Sequence, residues 1–254
     1  MNKAKLIVAN WKMNFFYKQA CNFCKKIISK KKQIKNNFII CPPSSLIFTL
    51  STRFKQINFG AQDCSAADEF GPYTGDINSK MLKDINCKYT LIGHSERRIL
   101  HKENERIITS KIFSALDSRI IPILCVGEDE LQRKNGNTKK ILKKQLMGVF
   151  SPRNIAKSIV NNKMFSTEVI IAYEPVWAIG TGKTPTVDEI SNTICFIKET
   201  LKKRGILKNI KVLYGGSVNT NNSKLFLNNI NIDGLLVGGA SLIFNSFFSM
   251  LKHK

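Results

Sequence analysis

The chain has 254 residues, 43% of them hydrophobic, with 40 Lys and Arg against 18 Asp and Glu and a formal charge of +22. That length suits one large core, and seven cysteines, no apolar segment after Met1-Asn2-Lys3 and no long apolar run exclude a disulfide framework and a membrane span, so a reducing, cytoplasmic setting is expected. The charge alone suggests nucleic acid, an acidic membrane face or an anionic substrate, but the lysines cluster over residues 25–35, 139–144, 202–208 and at Lys252 and Lys254, beside predicted helices and without interleaved aromatics, so they read as solvated helix faces and no nucleic-acid partner is expected.

In chain order, Lys5-Leu6-Ile7-Val8-Ala9 predicts a buried strand ending at Asn10-Trp11-Lys12, with a helical pattern from Phe16. Tyr17, Cys21, Cys24 and Ile28 recur there at helical spacing, so the Cys-x-x-Cys reads as two small core residues; no second pair or His cluster accompanies it as a metal site would require. Phe38-Ile39-Ile40-Cys41 is a second strand, stopped by Pro42-Pro43, and Ser44-Ser45 opens a helix carrying Leu46, Phe48, Leu50 and Phe54. A third strand, Asn58-Phe59-Gly60-Ala61-Gln62, leads into a polar connection over residues 63–76, long enough inside a compact domain to have a task of its own. Tyr89-Thr90-Leu91-Ile92 is a fourth strand, followed at once by Gly93-His94-Ser95-Glu96-Arg97-Arg98, with a helix over residues 105–116. Residues 120–125 form strand five, Gly127-Glu128 its exit loop, and residues 132–162 hold helical patterns split near Ser151-Pro152. Val169-Ile170-Ile171 is strand six, residues 186–203 a helix, Ile210-Lys211-Val212-Leu213-Tyr214 strand seven, Gly234-Leu235-Leu236-Val237 strand eight, and residues 242–251 a last helix. Eight apolar strands, each trailed by a helix, predict a closed (β/α)₈ barrel forming one domain over residues 1–254. An open doubly wound sheet would carry a glycine fingerprint in the first turn, where this chain has Asn10-Trp11-Lys12.

Strand six feeds Ala172-Tyr173-Glu174-Pro175, and Gly180 and Gly182 follow, which is the build of a hinged flap rooted at one acid. A carboxylate at the root of a closing flap suits proton abstraction in a water-excluded pocket. Gly182-Lys183-Thr184 looks like the tail of a P-loop, but Trp177 stands where that pattern needs glycine, so nucleotide binding is not expected. In a barrel the C-terminal strand ends converge on one mouth, which brings Asn10, Lys12, His94, Glu96, Glu174 and the glycine turns after strands seven and eight together. His94, between a strand end and a helix start, sits where unpaired N–H groups favour a neutral imidazole able to donate one proton. Lys12 is a Schiff-base nucleophile or an electrostatic partner, and Glu96 beside it favours the second role. Gly215-Gly216-Ser217 and Gly238-Gly239 present backbone N–H groups where barrels of this type hold phosphate.

Asn10-Trp11-Lys12-Met13-Asn14, Gly93-His94-Ser95-Glu96-Arg97-Arg98, the Ala172-to-Gly182 stretch, Tyr214-Gly215-Gly216-Ser217-Val218 and Leu236-Val237-Gly238-Gly239-Ala240-Ser241-Leu242 together resemble the triosephosphate isomerase family, in order and from end to end. The resemblance implies a TIM barrel that interconverts dihydroxyacetone phosphate and glyceraldehyde 3-phosphate through an enediolate, in glycolysis and gluconeogenesis, with no metal or organic cofactor. It implies Glu174 as proton shuttle, His94 serving the two oxygens, Lys12 stabilising negative charge and Asn10 orienting the substrate, with Ser95 and Glu96 in the same catalytic set. Gly180, Ser217, Gly238 and Gly239 would grip the phosphate. The resemblance implies a homodimer, as family members typically are, which would send the loop over residues 63–76 into a second copy, with Thr74 reaching the partner's mouth. Two departures stand out: Cys195 occupies the place of an Arg that pairs with an acid before strand eight, leaving Asp233 without that partner, and Asp76 replaces a frequent Glu. The alternatives are a phosphosugar aldolase using Lys12 as a Schiff base and a non-catalytic module exploiting the basic surface.

Overall fold

The computed structural model describes residues 4–154, 169–203 and 210–253. Eight parallel strands close into a barrel in sequence order, with β8 returning to β1. They are β1 (Leu6–Asn10), β2 (Asn37–Cys41), β3 (Asn58–Ala61), β4 (Tyr89–Ile92), β5 (Ile121–Val126), β6 (Ile170–Tyr173), β7 (Lys211–Tyr214) and β8 (Gly234–Val237). The helices among the described residues are α1 (Tyr17–Ser29), α2 (Ser44–Arg53), α3 (Ser79–Asp84), α4 (Ser95–Leu100), α5 (Glu105–Asp117), α6 (Glu130–Lys134), α7 (Thr138–Val149), α8 (Val187–Lys202), α9 (Ser223–Asn228) and α10 (Phe244–Lys252). The end of the helical region expected to reach Asn162 lies outside the described residues.

The strands read as continuous apolar runs because both faces are buried, in two separate layers. Val8, Ile39, Cys41, Leu91, Ile123, Cys125, Ile170, Ala172, Leu213 and Leu236 fill the barrel interior. Their neighbours in sequence, such as Ile7, Ala9, Ile40, Ile92, Leu124 and Ile171, face outward into a larger cluster shared with the helices. Helices α3, α4, α5, α6 and α8 begin at a side chain that accepts from their free N–H groups. Asn104 Oδ1 accepts from Arg106 and Ile107 at 3.1 Å each, and Asp129 and Thr186 form capping boxes with Gln132 and Glu189.

Three local readings change. The buried stripe of α1 is Ala20, Cys21, Phe23, Cys24 and Ile27; both thiols are in the core, but Tyr17 is exposed and Ile28 only half-buried. Burial pushes the Cys24 thiol up to about 12, so it is an apolar filler rather than a nucleophile. Between β4 and α5 an extra helix, α4, occupies the His94 motif, and α3 follows the long loop. Asp233 does have a cationic partner: Lys198, three residues after Cys195 on α8, places Nζ 2.7 Å from Asp233 Oδ2 and 2.7 Å from the Asn231 carbonyl. Asp233 Oδ2 also accepts from Val212 N at 2.8 Å, so the acid ties α8, β7 and the entry to β8 together.

Candidate active site

At the C-terminal mouth of the barrel, Glu174 leaves β6 with its backbone N–H on Val126 O at 2.8 Å and its side chain buried. Its carboxylate rests between two groups of the β4 exit: Oε1 is 3.3 Å from His94 Nε2, and Oε2 accepts from Ser95 N at 3.4 Å. Glycine on either side makes room for it. A Cβ on Gly127 would lie 1.7 Å from the Glu174 carbonyl oxygen, and one on Gly215 would lie 2.9 Å from its Cγ.

His94 is itself the N-cap of α4. Its Nδ1 accepts the Glu96 backbone N–H at 3.2 Å. An N–H aimed at Nδ1 needs a lone pair there, which puts the ring's proton on Nε2, facing the cavity and Glu174. The strand end and helix start that place His94 therefore also set its tautomer.

Lys12 adopts a left-handed backbone (φ 50), a cost of the kind that collects at functional sites and needs bracing. The bracing is visible. Its N–H donates to Asn10 Oδ1 at 3.0 Å, and its carbonyl accepts from Gln62 Nε2 at 2.8 Å, while the same amide nitrogen reaches Cys41 O at 2.9 Å. The Lys12 ammonium forms an ion pair with Glu96 Oε1 at the rim.

A cavity of about 310 Å³ gathers Asn10, Lys12, His94 and Glu174 on one wall and Gly180, Gly215, Ser217, Gly238 and Gly239 on the other. Ser95 and Glu96 stand just behind, touching Glu174 and Lys12 rather than lining the space. Thr74 lies elsewhere, exposed on the long loop. The flap over the cavity starts with a 3₁₀ turn, Val176–Ala178, and then bends through Gly180 (φ 70) and Gly182 (φ 76), where a side chain would be strained. Ser217 Oγ donates to Ala178 O, linking the turn after β7 to the flap.

Three residues at this mouth had no assigned part in the sequence reading. Gln62 holds Lys12. Cys125, inside the barrel, has its thiol driven well above the ordinary range by burial and then by the Glu174 charge, so it stays protonated as a neutral wall beside Glu174. Glu128, fully buried, accepts from Trp177 Nε1 at 3.0 Å and Tyr173 OH at 3.2 Å on the same oxygen, which fastens the first shoulder of the flap. Burial raises the pKa of this carboxyl above its ordinary value. Its position at a strand's C-terminal end was the signal for it.

A family model for triosephosphate isomerase matches residues 5–254. The chain belongs to the triosephosphate isomerase family. It is 40% identical over 258 residues to the triosephosphate isomerase of Buchnera aphidicola, covering 98% of this chain and 97% of that one. It is 35% identical over 254 residues to the enzyme of Hahella chejuensis, with 98% of both chains covered. The crystal structure of triosephosphate isomerase from Bartonella henselae superposes with a TM-score of 0.82 at 31% identity, covering 98% of each chain. The single closed barrel read from the strand pattern is the fold of this family.

Proposed function

We propose that this cavity carries out the family reaction, the interconversion of dihydroxyacetone phosphate and D-glyceraldehyde 3-phosphate in glycolysis and gluconeogenesis, with the residues above in definite roles. The observation that carries the assignment is a buried carboxylate 3.3 Å from a histidine N–H at the edge of a glycine-walled cavity. The substrate phosphate lies against the N–H groups of Gly180, Ser217, Gly238 and Gly239. Glu174 swings from its resting contacts and removes the proton from the carbon beside the carbonyl; the C–H electron pair moves into the new carbon–carbon double bond, and the enediolate oxygens face His94 Nε2–H and the Lys12 ammonium. His94 passes the hydroxyl proton from one enediolate oxygen to the other, and Glu174 returns the carbon-bound proton to the neighbouring carbon. Substrate and product are isomers, so the step balances with no oxidant, reductant or added group. Asn10 serves twice, orienting substrate and holding the strained Lys12 backbone. Pairing with Glu96 favours a charged Lys12 over a Schiff-base nucleophile.

The protein works as one catalytic domain over residues 1–254, in the cytoplasm, as a homodimer. Met13, Phe16, Phe70, Tyr73 and Leu100 are exposed large apolar side chains that a second copy would cover. The loop over residues 63–76 enters the partner, with Thr74 at the partner's Asn10 and Lys12. Among the described residues no helix is long and apolar enough to cross a membrane.

The test is a coupled turnover assay on purified protein, together with NMR of dihydroxyacetone phosphate incubated with the enzyme in heavy water. Turnover with deuterium entering at carbon is expected. Absence of both, or borohydride trapping of substrate on Lys12, would overturn the assignment.

A further inference from the structure

Glu and Asp are distributed very unevenly. The first acidic side chain is Asp63 and the last is Asp233, so residues 1–62 and 234–254 contain fourteen Lys and Arg and no Asp or Glu. Closure of the barrel joins these two ends: β8 pairs with β1, β1 with β2 and β2 with β3, and α10 packs on α1. One side of the molecule therefore holds most of the net charge of +22 and none of the carboxylates that would neutralise it. Among its described cations, only Lys12 at the mouth lies within ion-pair distance of a carboxylate. A drift toward lysine accounts for many cations but not for an acid-free sector, and uncompensated like charges weaken a fold rather than support it.

The cations are held in place. Phe244 and Phe248 stack at 5.4 Å, and Lys26, Lys30 and Lys252 lie 5.3–5.8 Å from their ring centroids. These lysines sit toward the C-terminal ends of α1 and α10, at the end of the barrel away from the mouth. Tyr17 and Ile243 are exposed at the N-terminal ends of these helices, but over the lysine-bearing remainder, from Lys18 to Lys35 and from Phe244 to Lys252, no large apolar side chain is exposed and no Arg is present. A bilayer would find nothing to insert, and a protein partner would find neither an apolar centre nor an Arg anchor. Phosphodiester contacts by lysine need neither.

We propose that the outer face of α1 and α10 is a docking surface for the phosphate backbone of nucleic acid, read without regard to base sequence. The ring faces are already occupied by ammonium groups, so bases do not stack there, and the barrel mouth stays open while the strand is bound.

The test measures anisotropy of a labelled single-stranded RNA against the full-length protein between about 50 and 200 mM salt. Two variants are compared, each removing four exposed lysines: Lys25, Lys26, Lys30 and Lys252 to Gln, and Lys139, Lys140, Lys143 and Lys144 of α7 to Gln. The first is expected to lose at least about tenfold in affinity and to lower the log–log salt slope by about 3, at roughly 0.7 per lost phosphate contact, while the second keeps its affinity. Turnover of triose phosphate should be unchanged in both, which shows that each is folded and that the face does not serve to steer substrate. The proposal fails if the wild type shows no salt-dependent binding, if both variants weaken equally, or if phosphatidylserine vesicles are bound in preference to RNA.

Discussion

Replacing Glu174 with Gln removes a proton acceptor with almost no change of volume in a buried site, so chemistry and folding separate cleanly. General bases contribute about 10²-fold to 10⁴-fold. The expected loss in kcat is of that size, about 3 to 5 kcal/mol of transition-state free energy at 1.36 kcal/mol per decade. The resting contacts set the accompanying stability change. Two donors, His94 Nε2 and Ser95 N, converge on the two carboxylate oxygens at 3.3 and 3.4 Å. Gln offers one oxygen and one amino group, so one donor loses its acceptor and meets another donor, at a cost of about 1–3 kcal/mol. The protein should remain folded by circular dichroism, bind a non-reacting two-carbon phosphate ester with little change, and lose carbon-bound deuterium incorporation in step with turnover. Turnover within tenfold of wild type, in a variant shown free of wild-type contamination, would refute the role given to Glu174.

Deleting residues 66–73, the centre of the loop that carries Phe70 and Tyr73, should give monomers with depressed activity in sedimentation and turnover assays; a stable, fully active dimer would count against the loop's assignment. Lys198→Met should lower stability by about 1–2 kcal/mol, the range for a half-buried charged hydrogen bond, and the melting temperature by about 2–8 °C, with turnover intact. Adding Cys195→Arg in that background should restore part of the loss if Asp233 is the shared partner, and no recovery would mean that the clamp depends on Lys198 alone. For Glu128 the folded carboxyl has a raised pKa, so the folded state holds its proton more tightly than the unfolded chain, and the contribution to stability is present below the ordinary value of 4.5 and is lost as pH rises through the folded value. Glu128→Gln should remove that component, so the wild-type-minus-variant difference in melting temperature is steady below pH 4.5 and falls as pH rises from there through the folded value; a difference that does not vary with pH would refute it.

The strands were legible because each is buried on two faces and so needs an unbroken apolar run, and the long helices because one stripe of each repeats at helical spacing. Two of the helices that the sequence left without bounds, α3 and α4, have no such stripe. Helix α4 buries only Ser95, and its arginines reach sideways, Arg97 to Glu103 at 2.6 Å and Arg98 to Glu105 at 2.7 Å, so it is held by charge contacts that spacing does not reveal. Helix α3 is six residues long, too short for a pattern. The stripe of α1 was found but rotated, because Tyr17 lies at the helix's first turn and faces solvent. At the mouth the single-residue candidates were legible from their strand-end positions, whereas Gln62, Cys125 and Glu128 act through contacts with residues far away in sequence. Lys198 is the instructive case. An acid's partner was sought at one position, yet a long side chain one helical turn further on reaches the same carboxylate, so what the barrel needs is a cation near Asp233 and not a residue type at position 195. The same reasoning bears on the basic sector: each lysine run taken alone is an ordinary solvated helix face, and only the closure of β8 onto β1 brings two acid-free ends of the chain into one field.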